Sequence, residues 1–257
     1  MNPIEEIQFL DRLHRHIPVP AHLEILFGGV SVGSQPFLPL YLEAMRISRT
    51  DVESWKSIRR AQRALVLVRY FEHTLRLAGG RVECGVFRGF SALLMAKIAH
   101  IHDPAFSGED VHLIDSFEGL SAPTAADAVA MRTLETGGQR PIYSLEAGYF
   151  ATPLDEVEAA LRDYPDITFH KGWIPPVLAR VPEKQWAFVH LDVDLYEPTK
   201  TSLAYFFPRL AKGGVILNDD FKSPLFPGAG HAWREFFEER NLSYLVLDTG
   251  QAVFTND

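Results

Sequence analysis

The sequence predicts an α/β protein: a parallel sheet with helices on both faces, a last strand running antiparallel, and a helical extension at the N-terminus. Two observations carry that expectation. After residue 80, apolar strand-like segments alternate with helical ones, the pattern of a sheet covered on both sides. The final stretch, SYLVLDTGQAVFTN (243–256), reads as two strands about a tight Thr249-Gly250 turn, a hairpin that turns the last strand back.

The elements follow in order. Residues 1 to about 78 read mostly as helix. Their clearest part, TDVESWKSIRRAQRALVLVRYFEHTLRLAGG, starts at a Thr50 cap, carries apolar residues at helical spacing and stops at Gly79-Gly80. Strands are expected at 81–86 (RVECGV), 111–117 (VHLIDSF), 167–172 (ITFHKG), 186–193 (WAFVHLDV) and 214–220 (GVILNDD), with helices at 90–100, 154–164 and 198–211. In the last helix Pro198 suits the first turn, Pro208 should kink it and Gly213-Gly214 should end it. The segment from about 121 to 150 is long, weakly periodic and rich in small residues, as lids and binding loops are; a surface excursion with a short helix reads equally well. The chain thus divides into an extension or lid (1–78) and a main α/β unit (79–257), together one compact domain.

With 257 residues, 47% of them hydrophobic, the chain can bury one sizeable core. No apolar run is long enough for a transmembrane helix, and MNPIEEIQFLDRLHRHIPVP lacks the apolar core of a signal peptide. The single cysteine, Cys84, excludes an internal disulfide and a cysteine-rich zinc site. A soluble cytoplasmic protein is expected. Its formal charge of −8 argues against nucleic-acid partners, and its one basic run, WKSIRRAQR (55–63), reads as a solvated helix face.

A parallel sheet closed by one antiparallel strand resembles the Rossmann-like plan of the class I S-adenosylmethionine (SAM) methyltransferases. Ligands of such sheets sit outside the carboxyl ends of the strands. There, ECGVFRGFS (83–91) offers Gly85 and Gly89 for close backbone approach, with Val86, Phe87 and Arg88 in the turn. HLIDSFEG (112–119) puts Asp115 and Ser116 at the next tip, where an acid can accept from two ribose hydroxyls or cap a turn. Glu83, an acid in an apolar strand, needs a cationic or hydrogen-bonding partner: the SAM ammonium group, or an arginine such as Arg88. Gly172 and Trp173 stand at the third tip, as an adenine wall or as packing under Pro175-Pro176.

Two further strands each discharge acids at their ends, FVHLDVDLYEP (188–198) and GGVILNDDF (213–221). Asp192, Asp219 and Asp220 fall on neighbouring tips, where unpaired carboxylates repel and a hard divalent cation such as Mg²⁺ relieves them; a simple loop cap by Asp219-Asp220 is the alternative. Glu197, at a helix start, suits the positive end of the dipole.

RVECGVFRGFSALL, LIDSFEGL, FVHLDVDLYEPTKTSLAYFFPRLAKGGVILNDDF and PGAGHAWREFF together resemble the macrocin O-methyltransferase family, over roughly residues 80 to 256. The resemblance implies SAM- and Mg²⁺-dependent methylation of a sugar hydroxyl on a natural product or nucleotide sugar, by a homo-oligomer. It implies metal ligands Asp192, Asp219 and Asp220, with Asp192 also the general base and His190 and Asp194 behind it. It implies cofactor contacts from Glu83, Gly85 and Asp115. The Asp plus Asp-Asp arrangement is similar, more distantly, to catechol O-methyltransferases, but Leu195 stands where those enzymes carry a lysine base. Three other readings remain open: a glycosyltransferase, since Asp192-Val193-Asp194 is a DxD; a phenolic acceptor; and a SAM-fold subunit without activity.

Overall fold

Successive side chains of a strand point to opposite faces, so an apolar run in a central strand feeds two separate cores. The computed structural model describes residues 18–51, 56–127, 131–133, 139–141 and 146–257 of the chain. Among the described residues three helices come first: α1 (Val19–Phe27), α2 (Phe37–Ile47) and α3 (Lys56–Thr74), with a two-stranded pair β1 (Ser31–Val32) and β2 (Gln35–Pro36) between the first two. The main sheet follows, as β3 (Gly80–Cys84), β4 (Val111–Asp115), β7 (Thr168–Lys171), β8 (Trp186–Leu191), β9 (Leu210–Asn218), β10 (Leu245–Val246) and β11 (Ala252–Thr255). Helices α4 (Phe90–His102), α5 (Leu154–Ala160), α6 (Tyr196–Phe206) and α7 (Pro227–Glu238) connect these strands.

The spatial order is β10-β11-β9-β8-β3-β4-β7. From β9 to β7 all neighbours are parallel; β11 runs antiparallel between β9 and β10. The predicted α/β class and closing hairpin are therefore present, and Gly250, at φ 86, makes the hairpin turn. Val111, Leu113, Phe188, Val215 and Leu217 pack on the face covered by α1 to α4. Val82, Cys84, Val189, Ile216 and Phe254 pack on the other, against Leu203 and Phe206 of α6 and Trp233 and Phe237 of α7. Each such large side chain contributes roughly 1.5–3 kcal/mol when fully buried.

Several boundaries differ from expectation. Residues 1–17 and 52–55 of the N-terminal helical reading lie outside the described residues, and α3 is described from Lys56. Thr50 bonds back to the preceding helix, its N–H to the Met45 carbonyl (2.8 Å) and its hydroxyl to Ser48 (2.8 Å). Helix α6 ends at Phe206, Pro208 sits in a short 3₁₀ turn (Phe207–Arg209), and the chain is already strand at Leu210. The two glycines do not end a helix; they lie in a bulge, where β8 advances from Trp186 to Phe188 while β9 advances from Leu210 to Val215. Within 121–150 the described residues hold a 3₁₀ turn (Ala125–Asp127) and an antiparallel pair, β5 (Met131–Thr133) with β6 (Gln139–Pro141). The rest of 128–145 lies outside the described residues.

Strand β3 is central: the chain proceeds outward from it through β4 and β7 on one side, and through β8 and β9 on the other. The loops after β3 and β8 therefore diverge, and a crevice opens between them at the carboxyl ends.

Candidate active site

That crevice holds a cavity of about 830 Å³. Gly85, Val86, Phe87, Arg88, Asp115, Ser116, Gly172, Trp173, Asp192, Asp219 and Asp220 all line it. Glu83 does not.

At the tips of β3 and β4 the geometry is fixed by backbone. Asp115 accepts from the N–H groups of Val86 (2.7 Å) and Phe87 (3.1 Å) on Oδ2, and from Phe117 (2.7 Å) on Oδ1. It caps its turn, as one reading expected. Because an ionised carboxylate offers about four acceptor positions, one remains for a ligand hydroxyl. Phe87 and Phe117 adopt positive φ (48° and 56°), so both loops are bent in an uncommon way to feed this carboxylate. Gly85 has φ 85°, and a Cβ there would lie 1.8 Å from the Asp192 carbonyl oxygen. The glycine thus serves contact between the β3 and β8 tips, not only ligand approach. Ser116 is committed locally, donating to Gly119 O (2.7 Å) and accepting from Glu118 N–H (3.0 Å). Trp173 is 45% exposed, lines the cavity and donates to Gly119 O (3.1 Å).

The tips of β8 and β9 are organised by charge. Asp192, Asp194 and Asp220 offer carboxylate oxygens within 4.8 Å of one another; a ring nitrogen of His190 and carboxylate oxygens of Asp192 and Asp219 form a second such set. Asp192 belongs to both groups, whereas Asp219 and Asp220 fall in different ones. The expected trio therefore appears as two overlapping sets, and Asp194 joins one of them. Burial and then the Asp192 charge push Asp220 up to about 7. Burial, Asp220 and Asp192 raise Asp194 well above the usual carboxylate range. Crowded, partly buried oxygen donors of this kind fit a hard divalent cation.

Glu83 has another partner than those expected. It is fully buried and accepts or shares a proton with His190 Nδ1 at 2.8 Å. Burial alone would lower His190, but the Glu83 hydrogen bond and charge, with Asp192, leave it raised. His190 Nε2 has no hydrogen-bond partner among the described residues and lies 3.7 Å from Asp219 Oδ1. His190 is a buried sheet residue, yet it also lines the cavity.

The solvated-face reading of the basic run is corrected: Lys56, Arg59, Arg60 and Arg63 line the cavity from α3. Their spacing is that of one helix face, the available signal for it. Arg63 ion-pairs with Asp219 and lies 3.5 Å from Asp220 Oδ1. Gln251, at the hairpin, donates to Asp219 Oδ1 (2.5 Å) and was not foreseen.

Residues 70–252 match the family model described as macrocin O-methyltransferase (TylF). The chain belongs to that family. Among relatives, it is 31% identical over 160 residues to the 8-demethyl-8-(2,3-dimethoxy-α-L-rhamnosyl)-tetracenomycin-C 4'-O-methyltransferase of Streptomyces olivaceus; the match covers 61% of this chain and 58% of that protein. The match thus spans little more than half the relative's length. Among solved structures, the O-methyltransferase NovP superimposes with a TM-score of 0.63 at 23% identity, over 83% of this chain and 88% of that one. An O-methyltransferase from Bacillus cereus in complex with SAH gives 0.52 at 12% identity, over 92% and 97%. Membership of the macrocin O-methyltransferase family sets aside the DxD glycosyltransferase reading. No helix among the described residues is long and apolar enough to cross a membrane.

Proposed function

We propose that this chain transfers a methyl group from SAM to a hydroxyl of a sugar, carried by a natural product or a nucleotide, with the help of a divalent cation. The observation that carries this reading is the meeting, in one cavity, of the backbone-fixed Asp115 with the oxygen-rich group Asp192, Asp194 and Asp220. When bound, SAM supplies an electrophilic methyl group and Mg²⁺ supplies positive charge that acidifies a nearby hydroxyl.

The chain's residues do the rest. Asp115 accepts a ribose hydroxyl, with Gly85, Val86, Phe87, Arg88, Ser116 and Gly172 around the cofactor and Trp173 as an aromatic wall. Glu83 acts from behind, through His190. Asp192 and Asp220 hold the metal with Asp219, whose two oxygens are meanwhile engaged by Arg63 and Gln251. Asp192 takes the acceptor's proton, because it alone belongs to both acid groups. Orientation of acceptor against methyl group supplies much of the remaining acceleration. Leu195 offers no base. Phe150, Phe226 and Trp173 line the cavity with faces on which a sugar ring can stack. Exposed Ile25, Leu26 and Leu42 supply apolar surface for a homo-oligomer in the cytoplasm.

The test is mass spectrometry of a panel of glycosylated natural products, nucleotide sugars and catechols incubated with SAM and Mg²⁺. Gain of one methyl on a sugar supports the reading; methylation of catechols alone contradicts the acceptor class; no methylation and no SAM binding contradict the activity.

A further inference from the structure

The N-terminal helix α3 delivers a cation into the acid cluster. Three contacts of Arg63 converge on one nitrogen, Nη2: the Asp219 carboxylate, the Asp219 carbonyl (3.0 Å) and Asp220 Oδ1 (3.5 Å). Its Nε is buried and has no hydrogen-bond partner among the described residues. A guanidinium that binds carboxylate well uses its fork, two parallel N–H donors on two oxygens. Arg63 does not. It neutralises the acids through one nitrogen and leaves part of its donor set unused, the arrangement of a replaceable counter-charge rather than of a permanent ion pair.

We propose that Arg63 is a built-in stand-in for the divalent metal: it caps Asp219 and Asp220 in the metal-free protein and must withdraw for the metal to bind. This rests on the acids being a cation site, as proposed above. Two features make withdrawal feasible. Arg63 already lines the cavity, so its side chain has volume to move into. Gln251 holds both the Arg63 carbonyl (3.4 Å) and Asp219 Oδ1 (2.5 Å), so helix and acid stay in register when the guanidinium leaves. The cap explains how buried acids persist without metal, and it sets the metal affinity lower than the acids alone would give.

The test is calorimetric titration of Mg²⁺ into chelator-treated protein without SAM at about pH 8, well above the ordinary carboxylate range. Arg63→Met, which keeps the apolar stem and removes the charge, should bind Mg²⁺ about tenfold more tightly than the unaltered chain. Without metal it should melt lower, and Mg²⁺ should restore it. Arg63→Lys, which keeps one cationic nitrogen, should stay within about threefold of the unaltered affinity. Unchanged or weaker binding by a folded Arg63→Met overturns the proposal, as does equal tightening by Arg63→Lys. A readout on the unaltered chain covers a variant that fails to fold. Phenylglyoxal labelling of Arg63, read by peptide mass spectrometry, should rise on adding Mg²⁺; unchanged labelling at saturating metal overturns the cap. Absence of Mg²⁺ binding by every protein, the unaltered chain included, overturns the cation site itself and the cap with it.

Discussion

The cavity has two halves built on different physical principles. At the tips of β3 and β4, the single acid Asp115 is satisfied by three backbone N–H groups whose positions the fold fixes. At the tips of β8 and β9, four acids crowd together and look to side-chain cations and amides: Arg63, Gln251 and, beyond, His190. The first half is organised before any ligand arrives. The second carries raised carboxyl groups, and a cation from outside would relieve them. The halves meet where Gly85 lies against the Asp192 carbonyl.

The largest effect should come from the shared acid. Asp192→Ala should lower turnover by about a thousandfold or more, the range of a lost general base, while SAM affinity stays within about threefold. Equal loss of both, by kinetics and calorimetry, would erase the distinction between the halves.

The contact between them should be next. Gly85→Ala places a methyl group on a carbonyl 1.8 Å away, at a left-handed φ. A cost of about 3 kcal/mol or more, or roughly 6–12 °C in Tm, is expected, with SAM and metal binding both weakened. A variant of unaltered Tm would mean the tips are not locked.

Asp115→Ala should then affect one half alone: SAM affinity falls at least tenfold, since each charge-assisted hydrogen bond contributes about 1.5–3 kcal/mol, and Mg²⁺ affinity is unchanged. Calorimetry with each ligand checks it.

The smallest effect is on stability against pH. Asp220 is raised, so its ionisation favours the unfolded chain; its contribution is present at low pH and lost as pH rises through about 7. His190, also raised, acts in the same sense. His112, pushed down by burial to about 4, acts oppositely, but its stability term is lost only as pH falls below about 6.5. Between about pH 6.5 and 8 the chelated protein should therefore lose a few degrees of Tm, and Mg²⁺ should return them. A flat or rising Tm in chelator would contradict the account of the acids.

Strands β4, β8 and β9 were legible because each is a short, mostly apolar run with Asp at or just after its end; the more polar β3 and β7 were legible with the help of the Gly that follows each. Asp115, Asp192, Asp219 and Asp220 were legible for the same reason: an acid directly after an apolar run stands at a strand end. Other features needed the third dimension. Which side of α3 faces solvent depends on how the helix docks, so Arg63 read as surface. Glu83 could be recognised as needing a partner, but His190 comes from a strand 107 residues away. That Asp219 and Asp220 fall in different groups, with Asp194 joining Asp220, depends on how the two loops meet in space.

The most direct test of the two-half account is a pair of calorimetric titrations, SAM and Mg²⁺, into the unaltered chain and Asp220→Ala. The account predicts SAM binding within about threefold in both proteins and Mg²⁺ binding lost only in the variant. Mg²⁺ binding by Asp220→Ala as tight as by the unaltered chain would contradict it.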